Sequence, residues 1–159
     1  MPLGVSPNHP QRLPSRPAAL KLPAPRGPTL MTAARILILG QDAHTVDYSH
    51  PAIPPGMNAE KVLAGLDQAK ASLEAQGLVV DLLQVLPDLA AAETAVVAQL
   101  TGRDYAVVVI GAGVRNPPPM LPLFETLLNA VHRHAPGARI AFNTRPDDSD
   151  VAAGRWVGR

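Results

Sequence analysis

Apolar and polar positions repeat a strand-then-helix pattern four times from about residue 35 onward. Ile36, Leu37, Ile38 and Leu39 form a short unbroken apolar run, as expected of a strand covered on both faces. Asn58 is placed to cap a helix reaching about Gln76, because Val62, Leu66, Ala69 and Leu73 recur on one face and Gly77 follows. Residues 78–85 read as a second strand, and Asp81 and Gln84 within it predict a position at the sheet edge. Asp88 caps a second helix carrying Leu89, Val96, Val97 and Leu100, which Gly102 closes. Tyr105–Ile110 is the most hydrophobic strand and is predicted to be central. Pro122 suits the first turn of a third helix, with Leu123, Leu127, Leu128 and Val131 inward and Pro136-Gly137 as its stop. Residues 139–143 give a fourth strand, and Asp148 or Ser149 caps a last helix holding Val151 and Trp156. Little more than two turns separate that cap from Arg159, so the C-terminus is expected to be cut short or unusually brief.

Strands alternating with helices at this spacing imply right-handed crossovers, and hence a parallel sheet with helices on both faces. The expected architecture is a three-layer α/β/α domain over residues 34–159, with about four strands in the order 2-1-3-4. In topology it resembles the flavodoxin-like (Rossmann-like) folds. The marks of their better-known members are missing. Receiver domains need an acidic pair after strand one and an Asp after strand three, whereas here Asp42 stands nearly alone and Gly111 holds the second place. The Gly-Asp-Ser block of SGNH hydrolases is replaced by Gly40-Gln41-Asp42-Ala43, and the hydroxyl-rich phosphate loop of flavodoxins is not reproduced. No catalytic residue is therefore carried over from any family, and no motif indicates a cofactor.

Ahead of this domain, residues 1–33 hold prolines at 2, 7, 10, 14, 17, 23, 25 and 28, which block both helix and ladder. The expectation is an extended or disordered basic leader. It would be a Pro-rich tail, an acid-free targeting peptide, or translated sequence upstream of a true start at Met31; the last is preferred. Met31-Thr32-Ala33-Ala34 runs straight into the first apolar strand, and the prolines forbid the amphipathic periodicity of a transit peptide.

Composition narrows the function classes. The chain has 159 residues, 47% of them hydrophobic and 17% charged, enough for one core but not two ordinary domains. Only 3% are aromatic, so small and branched aliphatics must fill that core and few side chains can stack on bases. Cysteine is absent, which removes disulfides, thiolate metal sites and cysteine nucleophiles, and permits a cytoplasmic location. No apolar run nears the roughly 20 residues of a membrane-spanning helix, so no membrane partner is expected. The net charge of +1 hides an asymmetry, since Arg12, Arg16, Lys21 and Arg26 precede Met31; ten basic against thirteen acidic residues follow, or −3. A mildly acidic domain carries no electrostatic footprint for nucleic acid.

Ligands in such sheets sit beyond the carboxyl ends of the strands flanking the switch in strand order, here the loops after Gly40 and Ile110. The first loop, about seventeen residues from Gln41 to Met57, far exceeds the usual two to six. It holds Asp42, His44, Asp47, Tyr48 and His50, followed by Pro51, Pro54, Pro55 and Gly56. His44-x-x-Asp47-x-x-His50 offers two imidazoles and a carboxylate to a divalent ion. Alternatively His44 or His50, oriented by Asp42 or Asp47, would act as a general base. The plainer reading makes Asp47 a local turn acceptor and leaves the histidines solvated or capping.

The second loop contains Gly111, Gly113, Arg115 and Asn116, which suit close backbone approach to an anion. Its spacing is neither G-x-G-x-x-G nor a P-loop. Asn143 and Arg145 lie in the loop after strand four, where Arg145 would join Arg115 in clamping an acidic group or pair with Asp147 and Asp148. His132 and His134 fall at the opposite rim. Three functions follow: binding of a small anionic molecule at the carboxyl edge, a His/Asp-dependent hydrolase-type enzyme with or without metal, and a structural module that self-associates as a homo-oligomer.

Overall fold

The computed structural model describes Gly4 and residues Thr32–Arg159; the expected leader lies, up to Met31, outside the described residues. Four strands, β1 (Arg35–Gln41), β2 (Val79–Val85), β3 (Tyr105–Ile110) and β4 (Arg139–Phe142), form one sheet in the order β2-β1-β3-β4. All three pairings are parallel, with Ile36 beside both Val80 and Val107, and Val107 beside Arg139. The helices are α1 (Ala59–Ala75), α2 (Leu89–Leu100), the single turn α3 (Ala112–Arg115), α4 (Leu121–His134) and the short α5 (Ser149–Gly154). This is the expected three-layer flavodoxin-like arrangement.

The unbroken apolar run of β1 is explained by the two cores it separates. Leu37 and Leu39 face one core, with Val96 and Leu100 of α2 and Leu123 and Leu127 of α4. Ile36 and Ile38 face the other, with Ala69 and Leu73 of α1 and Ala152 and Ala153 of α5. A strand buried on both faces cannot alternate with polar residues. β2, at the edge, keeps Asp81 and Gln84 half-buried, as their polarity requires.

Helix ends follow local chemistry. The Asn58 carboxamide accepts from the Lys61 N–H, and the Asp88 carboxylate from the Ala91 N–H. Gly77 and Gly102 follow α1 and α2 at φ +82° and +74°, the left-handed geometry that favours glycine after a helix. α1 also presses closely on the loop after β4: a Cβ on Gly65 would lie 3.0 Å from both the Asp147 nitrogen and the Pro146 Cβ. That contact fixes the loop from residue 143 to 148 against the first half of α1. Among the described residues no helix is long and apolar enough to cross a membrane.

Candidate functional site

The loop after β1 folds back over the carboxyl ends of the strands. Its first residues form a single 3-10 turn, Ala43–Thr45, whose opening His44 N–H is capped by the Asp42 carboxylate at 2.8 Å. The Asp42 N–H donates to the Val85 carbonyl at 2.8 Å, tying the loop to the end of β2. The Tyr48 hydroxyl donates to the Ala43 carbonyl at 2.7 Å and folds the loop onto itself. Burial, and to a lesser degree the Asp42 charge, push the Tyr48 phenol above its usual range, so it stays a neutral donor. Lys61 of α1 donates to the Gly56 carbonyl at 2.5 Å and closes the far end.

Beneath this loop lies a cavity of about 170 Å³, at the switch point between β1 and β3. Leu39 and Gly40 at the end of β1 and Gly111 and Gly113 after β3 form its base. Val46, Tyr48, Ile53 and Met57 of the loop cover it, and Val62 and Leu66 of α1 form one side. Asn143, Thr144, Arg145 and Pro146 complete the wall. Most of this lining is apolar, and the aliphatic residues of the first loop supply much of it. A Cβ on Gly40 or Gly113 would meet no heavy atom within 4 Å, so neither glycine is required by crowding. Neither has a positive φ; they leave room and do not serve a tight turn.

Asn143 organises the base. It is only 3% exposed, and its carboxamide oxygen accepts from the Ala112 N–H at 2.7 Å while its nitrogen donates to the Ser149 hydroxyl at 2.8 Å. One buried side chain thereby caps α3 and joins it to the start of α5. α3 is where the sequence predicts an open glycine loop. The turn forms because its first N–H finds this partner just after β4, which spacing along the chain does not reveal.

The structure separates the other expected site residues. Arg115 does not line the cavity: it donates to the Asn143 carbonyl at 2.7 Å and lies 5.5 Å from the Phe142 ring centroid. Its Nε is buried without a hydrogen-bond partner among the described residues. The expected Arg115–Arg145 clamp therefore does not form, because the guanidinium of Arg115 is committed to the end of β4. Arg145 lines the cavity wall and is 65% exposed, with Nε on the Asp147 carboxylate at 3.2 Å. Its two terminal nitrogens make no hydrogen bond among the described residues. Asn116 borders the same cavity.

Nor do the loop histidines and carboxylates assemble into a centre. Asp47 accepts from both the N–H and the hydroxyl of Ser49, at 3.0 and 2.5 Å, which hold its carboxyl below the usual range. That is poor preparation for a proton acceptor. His50 uses Nδ1 to accept from the Ala52 N–H at 3.1 Å, and His44 is exposed. Asp47 and His50 border a second cleft of about 160 Å³ with Thr45, Pro87 and Pro119, on the α2 and α4 side. Among the described residues no three His, Asp or Glu side chains gather where they could hold a metal ion, so the His44, Asp47 and His50 triad does not converge. The turn bonds of Asp47 and His50 account for this, since each fixes its side chain to its own backbone neighbourhood.

Asp148 is held differently. Burial raises its carboxyl, but hydrogen bonds from the Thr144 hydroxyl and the Arg145 and Thr144 N–H groups outweigh this and lower it. An ionised Asp148 thus stiffens the loop that presents Arg145. Sequence reasoning missed the apolar roof made by Val46, Ile53 and Met57; their recurrence amid the polar residues of the loop is the signal that could have found it. No family model, no curated protein and no solved structure matches this chain.

Proposed function

We propose that this domain binds a small molecule bearing one acidic group, in the cavity beyond the carboxyl ends of β1 and β3, and that it does so without catalysing a reaction on it. The observation that carries this reading is a pre-formed cavity at the switch point with Arg145 at its rim, whose two terminal guanidinium nitrogens make no hydrogen bond among the described residues. Open parallel sheets place ligands there. A cationic fork suits a carboxylate or phosphate oxygen pair. The Asp42 and Asp47 carboxylates and the His50 imidazole are taken up in turn bonds within the loop, and His44 is exposed, which favours binding over hydrolysis. A cysteine-free chain suits a cytoplasmic location, and that is part of the same reading.

Thermal unfolding of the full chain with inorganic phosphate and with small carboxylic acids tests it. A rise in midpoint with at least one acid, reduced in Arg145→Ala and reduced further in Arg145→Glu, is expected. No shift with any of them counts against the proposal.

Self-association is a second reading with its own observation. Leu86, Leu89 and Leu121 are 53%, 44% and 52% exposed at the ends of β2, α2 and α4. Pro87 and Pro119, beside them in sequence, border one cleft. Sedimentation of the full chain distinguishes a dimer through this face from a monomer; Leu89→Lys and Leu121→Lys together would dissociate such a dimer.

A further inference from the structure

The acidic group accounts for only the rim of the site; the cavity behind it has its own requirements. Resting on the proposal that this cavity is a binding site, we infer that its ligand is a small aryl or branched-alkyl carboxylic acid, with the apolar group buried beneath the first loop and the carboxylate at Arg145. The polar alternatives, a free phosphate or a sugar phosphate, fit the lining poorly.

Three observations lead to this class. Ile53 and Met57 of the loop and Val62 and Leu66 of α1 line the same space, so a polar ligand body would be stripped of water with few partners in return. Three polar side chains of the lining are already engaged: Asn143 on Ala112 and Ser149, Gln41 on Thr45, and Gln84 on the Ala43 N–H. The volume of about 170 Å³ selects a compact group. An apolar cavity of about 150 Å³ elsewhere takes benzene, so one ring or a short branched chain fits and a nucleoside does not.

Affinity then divides unequally between the two ends. Arg145 is largely exposed, and an ion pair in that setting contributes at most about a fivefold gain in affinity. Burial of the ring contributes the larger part, since apolar area removed from water is the dominant favourable quantity in such pockets. The carboxylate therefore orients the ligand, with its ring inward and its charge in water beside the guanidinium.

Titration calorimetry and nitrogen-15 chemical shifts on the full chain test this with phenylacetate, 3-methylbutanoate, toluene, acetate and inorganic phosphate. The expected result is that phenylacetate or 3-methylbutanoate binds, moving the amides of Val46, Ile53, Gly113 and Arg145, while acetate and phosphate bind at least about tenfold more weakly. Val62→Phe, which fills the cavity from α1, should abolish binding of the larger acids, and Gly113→Val serves as the second filling variant should the first not fold. Arg145→Ala should weaken phenylacetate by no more than about fivefold. Acetate or phosphate binding as tightly as phenylacetate would overturn the apolar body and leave the anion site standing. Toluene binding as tightly as phenylacetate would confirm the apolar body while removing the acid, and with it the proposal of the preceding section. Silence from all five probes would remove both.

Discussion

Asn143 concentrates more structural consequence than any other polar side chain near the cavity. Its carboxamide meets the half-buried Ala112 N–H on one side and the buried Ser149 hydroxyl on the other. Truncation in Asn143→Ala leaves those groups without partners, and chemical denaturation should register a loss of about 1–3 kcal/mol. Asp81 makes a comparable junction at the other end of the sheet. One of its oxygens accepts from Arg35 at 2.9 Å and from the Tyr105 hydroxyl at 2.7 Å, and Gln99 donates to that same hydroxyl at 2.7 Å. Burial raises the Asp81 carboxyl, but the Tyr105 and Arg35 hydrogen bonds and the guanidinium charges outweigh it and leave it below the ordinary carboxylate value. A lowered folded value means stability that is complete above the unfolded value near 3.8 and drains away as pH falls through the folded one. Tyr105 behaves oppositely: burial and the Asp81 partner push it up to about 12, so its contribution is complete below pH 10 and fades as pH rises toward 12. Unfolding midpoints measured from pH 2 to 12 should show both limbs, and Asp81→Asn should make the acid one shallower, leaving the part that Asp148 contributes.

Among the elements, α1 meets the loop after β4 more tightly than any propensity scale foresees. Gly65 lies inside a helix, where alanine is ordinarily better by about 1 kcal/mol. Here the added methyl would press on backbone and on a proline ring 3.0 Å away. Gly65→Ala should therefore gain nothing or lose up to about 2 kcal/mol in urea, and Gly65→Val should lose more, with amide shifts spreading through residues 143–148. The loop after β1 yields another expectation. Removing one hydroxyl in Tyr48→Phe frees the Ala43 carbonyl, so hydrogen exchange across residues 43–53 should quicken while global stability falls by no more than about 1.5 kcal/mol. Strands and long helices were legible in the chain because burial on two faces demands continuous apolar runs, and burial on one face demands helical spacing. Asn58, Asp88, Gly77 and Gly102 announced their ends through local backbone chemistry. The turn α3 was not legible, since the group that caps it arrives from 31 residues away. Arg115 was misplaced for the same reason: only the fold brings Phe142 and the Asn143 carbonyl beside it.

At the scale of the whole molecule, strand order decides where a cavity can open, and the order β2-β1-β3-β4 was readable from the alternation of elements alone. The apolar character of that cavity was only faintly readable, in Val46, Ile53 and Met57 of the loop, because the fold alone brings them together with Val62 and Leu66 of α1. The same topology has a temporal side. β1 sits between β2 and β3, and its partner in the second pairing lies far along the chain: Ile36 meets Val107, 71 positions later (107 − 36). During synthesis this apolar strand must wait for its second neighbour while some seventy residues are added, several seconds at about 5–20 residues per second. A nascent chain halted before residue 105 would hold β1 with one flank bare, an adhesive edge that invites chaperones or pairing with another unfinished copy.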